Sequence, residues 1–299
     1  MNPPTVIAEI GGNHRGEIRT AKRMIEILAT YCSEHFDLAH TGIPEVHRRL
    51  AVKFQKRTPD LELYPEWSDP HPNPYHSYGE TYLEHRRALE FSVHDHQTLK
   101  LWAEQRGVTY ACSVWDQPAA RDIISLAPKW IKIPSARNTD WDLLTLLYDE
   151  YDGDLHISMG MINRTEIKIL ADFVTAHGVG DRTVLYACTS GYPVPAPDVC
   201  LLEIRWLREK YGNMLRGIGF SGHHAGIAID CGAVALGAEW IERHYTLNRT
   251  WVGTDHAASL EPDGMRKLLR DVGAVALAMD RKTGNGILEI EKPQREKLK

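Results

Sequence analysis

One alternation runs almost the whole length of the chain and limits what it can fold into. Eight short apolar runs stand at residues 5–11 (TVIAEIG), 50–56 (LAVKFQK), 108–115 (VTYACSVW), 130–136 (WIKIPSA), 154–160 (DLHISMG), 183–190 (TVLYACTS), 217–222 (GIGFSG) and 240–246 (WIERHYT). Each is followed by a helix-like run, the first of which repeats Ala21, Met24, Ile25 and Leu28 at helical spacing. No hairpin signal separates any two of them. Strict alternation predicts a parallel sheet, and eight units predict closure into a single-domain α/β fold, the (β/α)8 TIM barrel. A doubly wound open sheet is the alternative, opposed by the even unit count and the lack of a Gly-rich dinucleotide fingerprint.

The 299 residues suit one such barrel, which usually takes about 250. The barrel is assigned to residues 1–281, with a polar C-terminal extension over 282–299. Residues 35–47 read as an irregular insertion. Residues 57–90, rich in Pro, His, Tyr and acidic side chains, read as a long inserted loop that faces a substrate.

A net charge of -5 and a pI near 6.3, without a basic stripe, exclude a nucleic-acid surface and point to a small partner. No apolar run approaches the ~20 residues that cross a bilayer, so no membrane partner is expected. The five cysteines, at 32, 112, 188, 200 and 231, show no C-x-x-C spacing. With no signal peptide at the start of the sequence, they read as reduced residues of a cytoplasmic protein.

In such barrels the chemistry lies at the C-terminal ends of the strands. The polar residues expected there are Glu9, Asn13 and His14 from the first unit, Lys53 and Gln55 from the second, and Lys132 and Ser135 from the fourth. Ser158 comes from the fifth, Thr189, Ser190 and Tyr192 from the sixth, Ser221 and His223 from the seventh, and His244 and Asp255 from the eighth. In the second strand Ala51, Lys53 and Gln55 share one face, and two polar side chains there imply that this face opens into a site. Two lysines among hydroxyls suit a phosphorylated or carboxylated anion. His223 or His224 with His244, on neighbouring strands about 4.8 Å apart, suit a divalent ion that keeps positions open for substrate. His224 and His256 are read as structural, His14 as a brace for the first turn, and Glu242 either as an orienter of His244 or as a partner of Arg243.

The runs AEIGGNHRGEIRTAK, AVKFQKR, YGETYLEHRRALEFS, KIPSARNTD, ISMGM, YACTSGYPVP, GFSGHHAGI and GAEWIERHYTLNRTWVGTDHAASLEPD resemble, in the same order, the motifs of the sialic acid (N-acetylneuraminate) synthases. The resemblance covers about Thr5 to Asp280, the barrel domain only, without the family's C-terminal antifreeze-like domain. It implies condensation of phosphoenolpyruvate with the open-chain aldehyde of an aldose, releasing phosphate and giving a 2-keto-3-deoxy sugar acid. It implies that Lys53, Lys132, Ser135, Ser158 and Ser221 hold phosphoenolpyruvate and that His223 and His244 hold Mn2+ or Mg2+. Glu9, Gln55, Tyr192 and Asp255 would face the sugar, with Glu9 or Asp255 handling protons; Ser190 is a further substrate-binding candidate, and a homodimer is expected. Two departures stand out within the motifs. The family's Gly-Glu after KIPS is Ala136-Arg137 here, which makes Arg137 a candidate catalytic residue, and its Asp-His-Thr is Gly222-His223-His224. Together with the missing domain they point to an aldose other than N-acetylmannosamine. A metal-dependent pyruvate aldolase or lyase, and a non-catalytic sugar-binding barrel, are the competing readings.

Overall fold

A computed structural model describes residues 2–31, 49–61, 68–282, 284 and 286–299. Eight parallel strands close into a barrel in sequence order. They are β1 (Thr5–Glu9), β2 (Leu50–Lys56), β3 (Thr109–Val114), β4 (Trp130–Ile133), β5 (Asp154–Ser158), β6 (Thr183–Cys188), β7 (Gly217–Gly222) and β8 (Trp240–His244). Closure pairs β1 with β8, in a register that sets Glu9 beside His244 and, on the other side, beside Lys53. The helices between and after the strands are α1 (Ile18–Thr30), α2 (Tyr82–Leu89), α3 (Val93–Glu104), α4 (Gln117–Ile124), α5 (Trp141–Glu150) and α6 (Arg164–Ala176). They continue with α7 (Glu203–Tyr211), α8 (Ala228–Ala235), α9 (Pro262–Ala278) and the exposed terminal α10 (Lys292–Leu298). Among the described residues no helix is long and apolar enough to cross a membrane.

Strand alternation sorts the side chains into two cores. Outward residues such as Val6, Val52, Cys112, Ile131, Ile157, Leu185 and Ile241 pack under the helix ring with Met24, Leu99, Ile123, Leu147, Leu170 and Leu268. Inward residues Ile7, Ala51, Ala111, Trp130, Val184 and Tyr186, with Trp240 against them, fill the barrel floor. The floor packs tightly enough that a Cβ on Gly219 would lie 2.5 Å from the Tyr186 ring. One strand step above this floor the inward positions turn polar, and the site begins there.

The segment over 57–90 is not wholly loop. It contains α2, whose start is fixed by a capping box in which Thr81 accepts from the Glu84 backbone N–H and the Glu84 carboxylate accepts from that of Thr81. Residues 62–67 of this segment, and the insertion read over 35–47, lie outside the described residues.

Candidate active site

The C-terminal mouth of the barrel encloses a cavity of about 360 Å³. Of the residues expected there, Glu9, Lys53, Gln55, Lys132, Ser135, Ser158, Ser190, Tyr192, Ser221, His223, His244 and Asp255 line it, whereas Asn13, His14, Thr189 and the candidate Arg137 do not. Arg57, Arg86, Ser113, Trp115, Pro134, Ala136, Met161, Cys188 and Glu242 complete the lining.

The floor of the cavity is an ion-pair network. Lys53 Nζ lies 2.7 Å from Glu9 Oε2 and 3.6 Å from Glu242 Oε1, and donates to Ser113 Oγ at 2.7 Å. Lys132 Nζ lies 3.0 Å from Glu242 Oε2 and 3.4 Å above the centre of the Tyr186 ring. Ser221 Oγ donates to Glu242 Oε1 at 3.1 Å. Glu242 is thus the shared partner of both lysines. Burial alone would raise its pKa, but Lys132 and Lys53 outweigh burial and hold its carboxyl well below the usual range. Burial also works against both ammonium groups. In Lys53 the charges of Glu242 and Glu9 overcome it and raise the pKa, whereas in Lys132 burial prevails and the pKa falls.

A group of hydroxyls flanks the network. Gly160 is required where β5 ends, because a Cβ there would meet Ser190 Oγ at 2.4 Å and Ser135 Oγ at 2.7 Å. Asn138 holds that turn by donating to the carbonyls of Ser158 and Gly160, both at 2.9 Å. Arg137 pairs with Asp140, the N-cap of α5, while its neighbours Ser135 and Ala136 line the cavity.

The histidine wall faces this network. The His223 and His244 rings stand 5.4 Å apart, with the Tyr192 ring 4.4 Å from the first and 5.7 Å from the second. His223 Nδ1 lies 3.1 Å from the Thr189 carbonyl oxygen. A carbonyl can only accept, so the proton sits on Nδ1 and Nε2 keeps its lone pair. Burial, and then His244, push the His223 pKa down to about 3, so the ring is neutral. Nδ1 of His244 is buried without a hydrogen-bond partner, and Asp255 Oδ2 lies 3.8 Å from it. Burial opposes ionisation of Asp255, but His244 and Arg86 outweigh it and hold the carboxyl below its ordinary value. Among the described residues no three His, Cys, Asp or Glu side chains converge as a ready metal cluster.

The other histidines are structural. His224 faces away from the cavity in a buried clamp, with Arg243 donating to Asp230 at 2.5 Å and to the His224 carbonyl at 2.6 Å. His14 stacks on Phe91 at 4.0 Å and accepts the Gly16 N–H at 3.0 Å, bracing the first turn. His256 lies 2.7 Å from the Thr246 hydroxyl.

The sequence sets Glu242 beside His244 but does not show its lysine partners, and Ser113, which alternation with Ala111 marks as inward, was missed. Arg57 and Trp115, which continue the inward alternation one residue beyond β2 and β3, were missed too, as was Arg86, for which no comparable periodic signal exists.

Residues 48–284 match the NeuB family. Human N-acetylneuraminate-9-phosphate synthase is 33% identical over all of this chain and 77% of its own length. The N,N'-diacetyllegionaminic acid synthase of Campylobacter jejuni is 28% identical over all of this chain and 83% of its own. Among solved structures, the N-acetylneuraminic acid (sialic acid) synthetase of Leptospira borgpetersenii, in complex with citrate, superposes with a TM-score of 0.80 at 25% identity, covering 99% of this chain and 91% of that one.

Proposed function

This chain belongs to the NeuB family, and from that premise we propose how its cavity joins phosphoenolpyruvate to the open-chain aldehyde of an aldose. The observation that carries the reading is the opposition of two walls in one cavity: lysines and hydroxyls on one side, His223 and His244 with Tyr192 and Asp255 on the other. An enol phosphate needs the first wall and a reactive carbonyl needs the second.

Lys53, Lys132, Ser135, Ser158 and Ser221 hold phosphoenolpyruvate, with Ser190 beside them. The lysines meet the anion as preorganised groups, since Glu242 and Glu9 already fix their ammonium positions. C3 of the enol then attacks the aldehyde carbon, and the carbonyl oxygen takes a proton to become a hydroxyl. Water adds at C2, and the C2–O bond to phosphate breaks to leave the 2-keto acid. Glu9 is engaged through both oxygens, by Lys53 and by Gln55 at 2.7 Å, so its part is to orient those two side chains. Asp255 is ionised and has one long contact to His244, which suits it to accept the proton of the attacking water.

The histidine pair fits a divalent metal. His223 presents a free Nε2 lone pair, His244 has an orphaned buried nitrogen, and both rings border the cavity. The charge balance agrees. The lining carries four cations, Lys53, Arg57, Arg86 and Lys132, against three carboxylates, Glu9, Glu242 and Asp255. A phosphoenolpyruvate trianion therefore lacks full compensation from the protein alone. Bound there, Mn2+ or Mg2+ would supply Lewis-acid polarisation of the aldehyde. We assign the protein to the cytoplasm, in keeping with its free cysteines Cys112, Cys188, Cys200 and Cys231, and to a homodimer, which sedimentation would test.

The charge reversal at Arg137, where the family has Glu, is what would favour a non-catalytic barrel. The pairing of Arg137 with Asp140 removes that support, because the side chain is not part of the cavity lining. The test is phosphate release from phosphoenolpyruvate across a panel of aldoses. Release that depends on an aldose is expected. Turnover of pyruvate in its place would sink the condensation in favour of the aldolase reading.

A further inference from the structure

The two lysines of the anion wall are held differently. A lysine ammonium has three N–H donors. Around that of Lys53 stand three protein oxygens, Glu9 Oε2 and Ser113 Oγ at 2.7 Å and Glu242 Oε1 at 3.6 Å. Among the described residues, the ammonium of Lys132 has one hydrogen-bond partner, Glu242 Oε2 at 3.0 Å. Beside it lies the face of the Tyr186 ring, its centre 3.4 Å from Nζ. An aromatic face attracts a cation through its quadrupole and does not tie down an N–H in a directed bond. Lys132 therefore keeps donors for a ligand of the cavity it lines, and Lys53 keeps fewer.

Tyr186 is fully buried and is not part of the cavity lining, so it reaches a ligand only through Lys132. Its hydroxyl lies 2.7 Å from Nδ1 of His156 on β5. His156 stacks on Trp130, with ring centres 5.1 Å apart and planes within 6°. Trp130 lies two residues before Lys132 on β4, and the pairing of β4 with β5 sets Lys132 beside His156. Contacts thus run from the strand of the lysine through His156 to the ring and back to the ammonium. Packing alone does not require this arrangement. An apolar side chain would fill a floor that also holds Ile7, Ala51, Ala111 and Val184, whereas a hydroxyl and an imidazole cost free energy to bury unless they pair. What the pair adds is the angle of the ring. Burial lowers the Lys132 pKa against the charge of Glu242, and a ring face held at the ammonium acts on the side of Glu242.

We propose that Tyr186, oriented by His156, is a positioning residue for phosphoenolpyruvate: its ring carries the Lys132 ammonium in a cation–π contact and leaves N–H groups of Lys132 for the anion. The proposal rests on the condensation reading and adds to it a residue that acts without touching substrate.

The test places phenylalanine at 186, and then phenylalanines with one, two and three ring fluorines, which nearly keep the shape and withdraw electron density from the face. Affinity for phosphoenolpyruvate is read by calorimetry, and steady-state kinetics use an aldose the wild type accepts. Tyr186→Phe keeps the ring face and should bind within about threefold of wild type. Fluorination should then weaken binding stepwise, by on the order of tenfold over the series, and Tyr186→Leu should lose at least as much. The loss should appear in KM for phosphoenolpyruvate, with kcat at saturation and KM for the aldose nearly constant. Equal affinity across the fluorinated series overturns the positioning by Tyr186 and leaves the condensation standing. A loss as large in Tyr186→Phe as in Tyr186→Leu, following the fall in thermal midpoint, marks plain packing and overturns it too. Wild type that neither binds phosphoenolpyruvate nor turns it over with any aldose overturns the condensation itself, and the proposal with it.

Discussion

Glu242 fixes both lysines of the anion wall, and its removal should cost more than any single hydroxyl of that wall. Glu242→Gln leaves Lys132 without its one carboxylate and Lys53 with Glu9 alone. Loss of one partner from a buried pair costs about 3–5 kcal/mol, so the variant should unfold at a clearly lower urea midpoint, and an unchanged midpoint would deny the network its role. The two walls should also separate by mutation. His244→Ala should abolish turnover and Mn2+ binding by calorimetry, whereas Lys53→Ala should mainly raise KM for phosphoenolpyruvate, by on the order of tenfold or more. Retained turnover in the histidine variant would remove the metal from the chemistry. These residues were legible in the sequence because strand alternation puts Lys53 with Gln55, and Glu242 with His244, on one inward face. Arg57 and Arg86 were not. Arg57 keeps the inward parity of Lys53 and Gln55 but lies one residue beyond the strand, and Arg86 lies on a helix inside a loop, where side-chain direction depends on tertiary contacts and not on a strand period.

At the scale of elements, α2 connects the outer segment to the cavity. Its eight residues are too few to be stable alone, so the Thr81 capping box and its packing decide whether Arg86 is presented. Thr81→Ala should cost about 1 kcal/mol of local stability and raise KM for the acceptor while leaving KM for phosphoenolpyruvate nearly constant, as steady-state kinetics would show. The T-x-x-E signature at Thr81 and Glu84 stands in the sequence. It was outweighed by the Pro, His and Tyr content around it, which reads as loop. On the opposite wall, the Arg243–Asp230 clamp joins β8 to α8 and holds the His224 carbonyl, one residue beyond the His223 that faces the cavity. That clamp explains His224, which sequence alone left as a second candidate for the ion.

For the whole molecule, the barrel followed directly from the alternation, since eight strand and helix units in strict order have one closed parallel arrangement. What the alternation could not show is how many titratable groups the closed fold desolvates. Burial holds His14 and His96 near pKa 3, His85 near 4 and His156 well below 6.5, with His256 near 4 as well. Unfolded histidines take up protons near pH 6.5, while these cannot until about pH 3–4. Between those limits the unfolded state binds more protons, so stability falls as pH drops below about 6.5 and is unaffected above it. The thermal midpoint should thus be lower at pH 5 than at pH 7.5 by several degrees, and equal midpoints would contradict the burial of neutral imidazoles. The most direct measurement of function is the coupled assay of phosphate release and product mass, with Mn2+, phosphoenolpyruvate and the aldose panel including 6-phosphates. One phosphate per phosphoenolpyruvate consumed, with an organic product equal in mass to the aldose plus pyruvic acid, is the predicted result. Phosphate release with no aldose in the panel, or pyruvate as the sole carbon product, would contradict it.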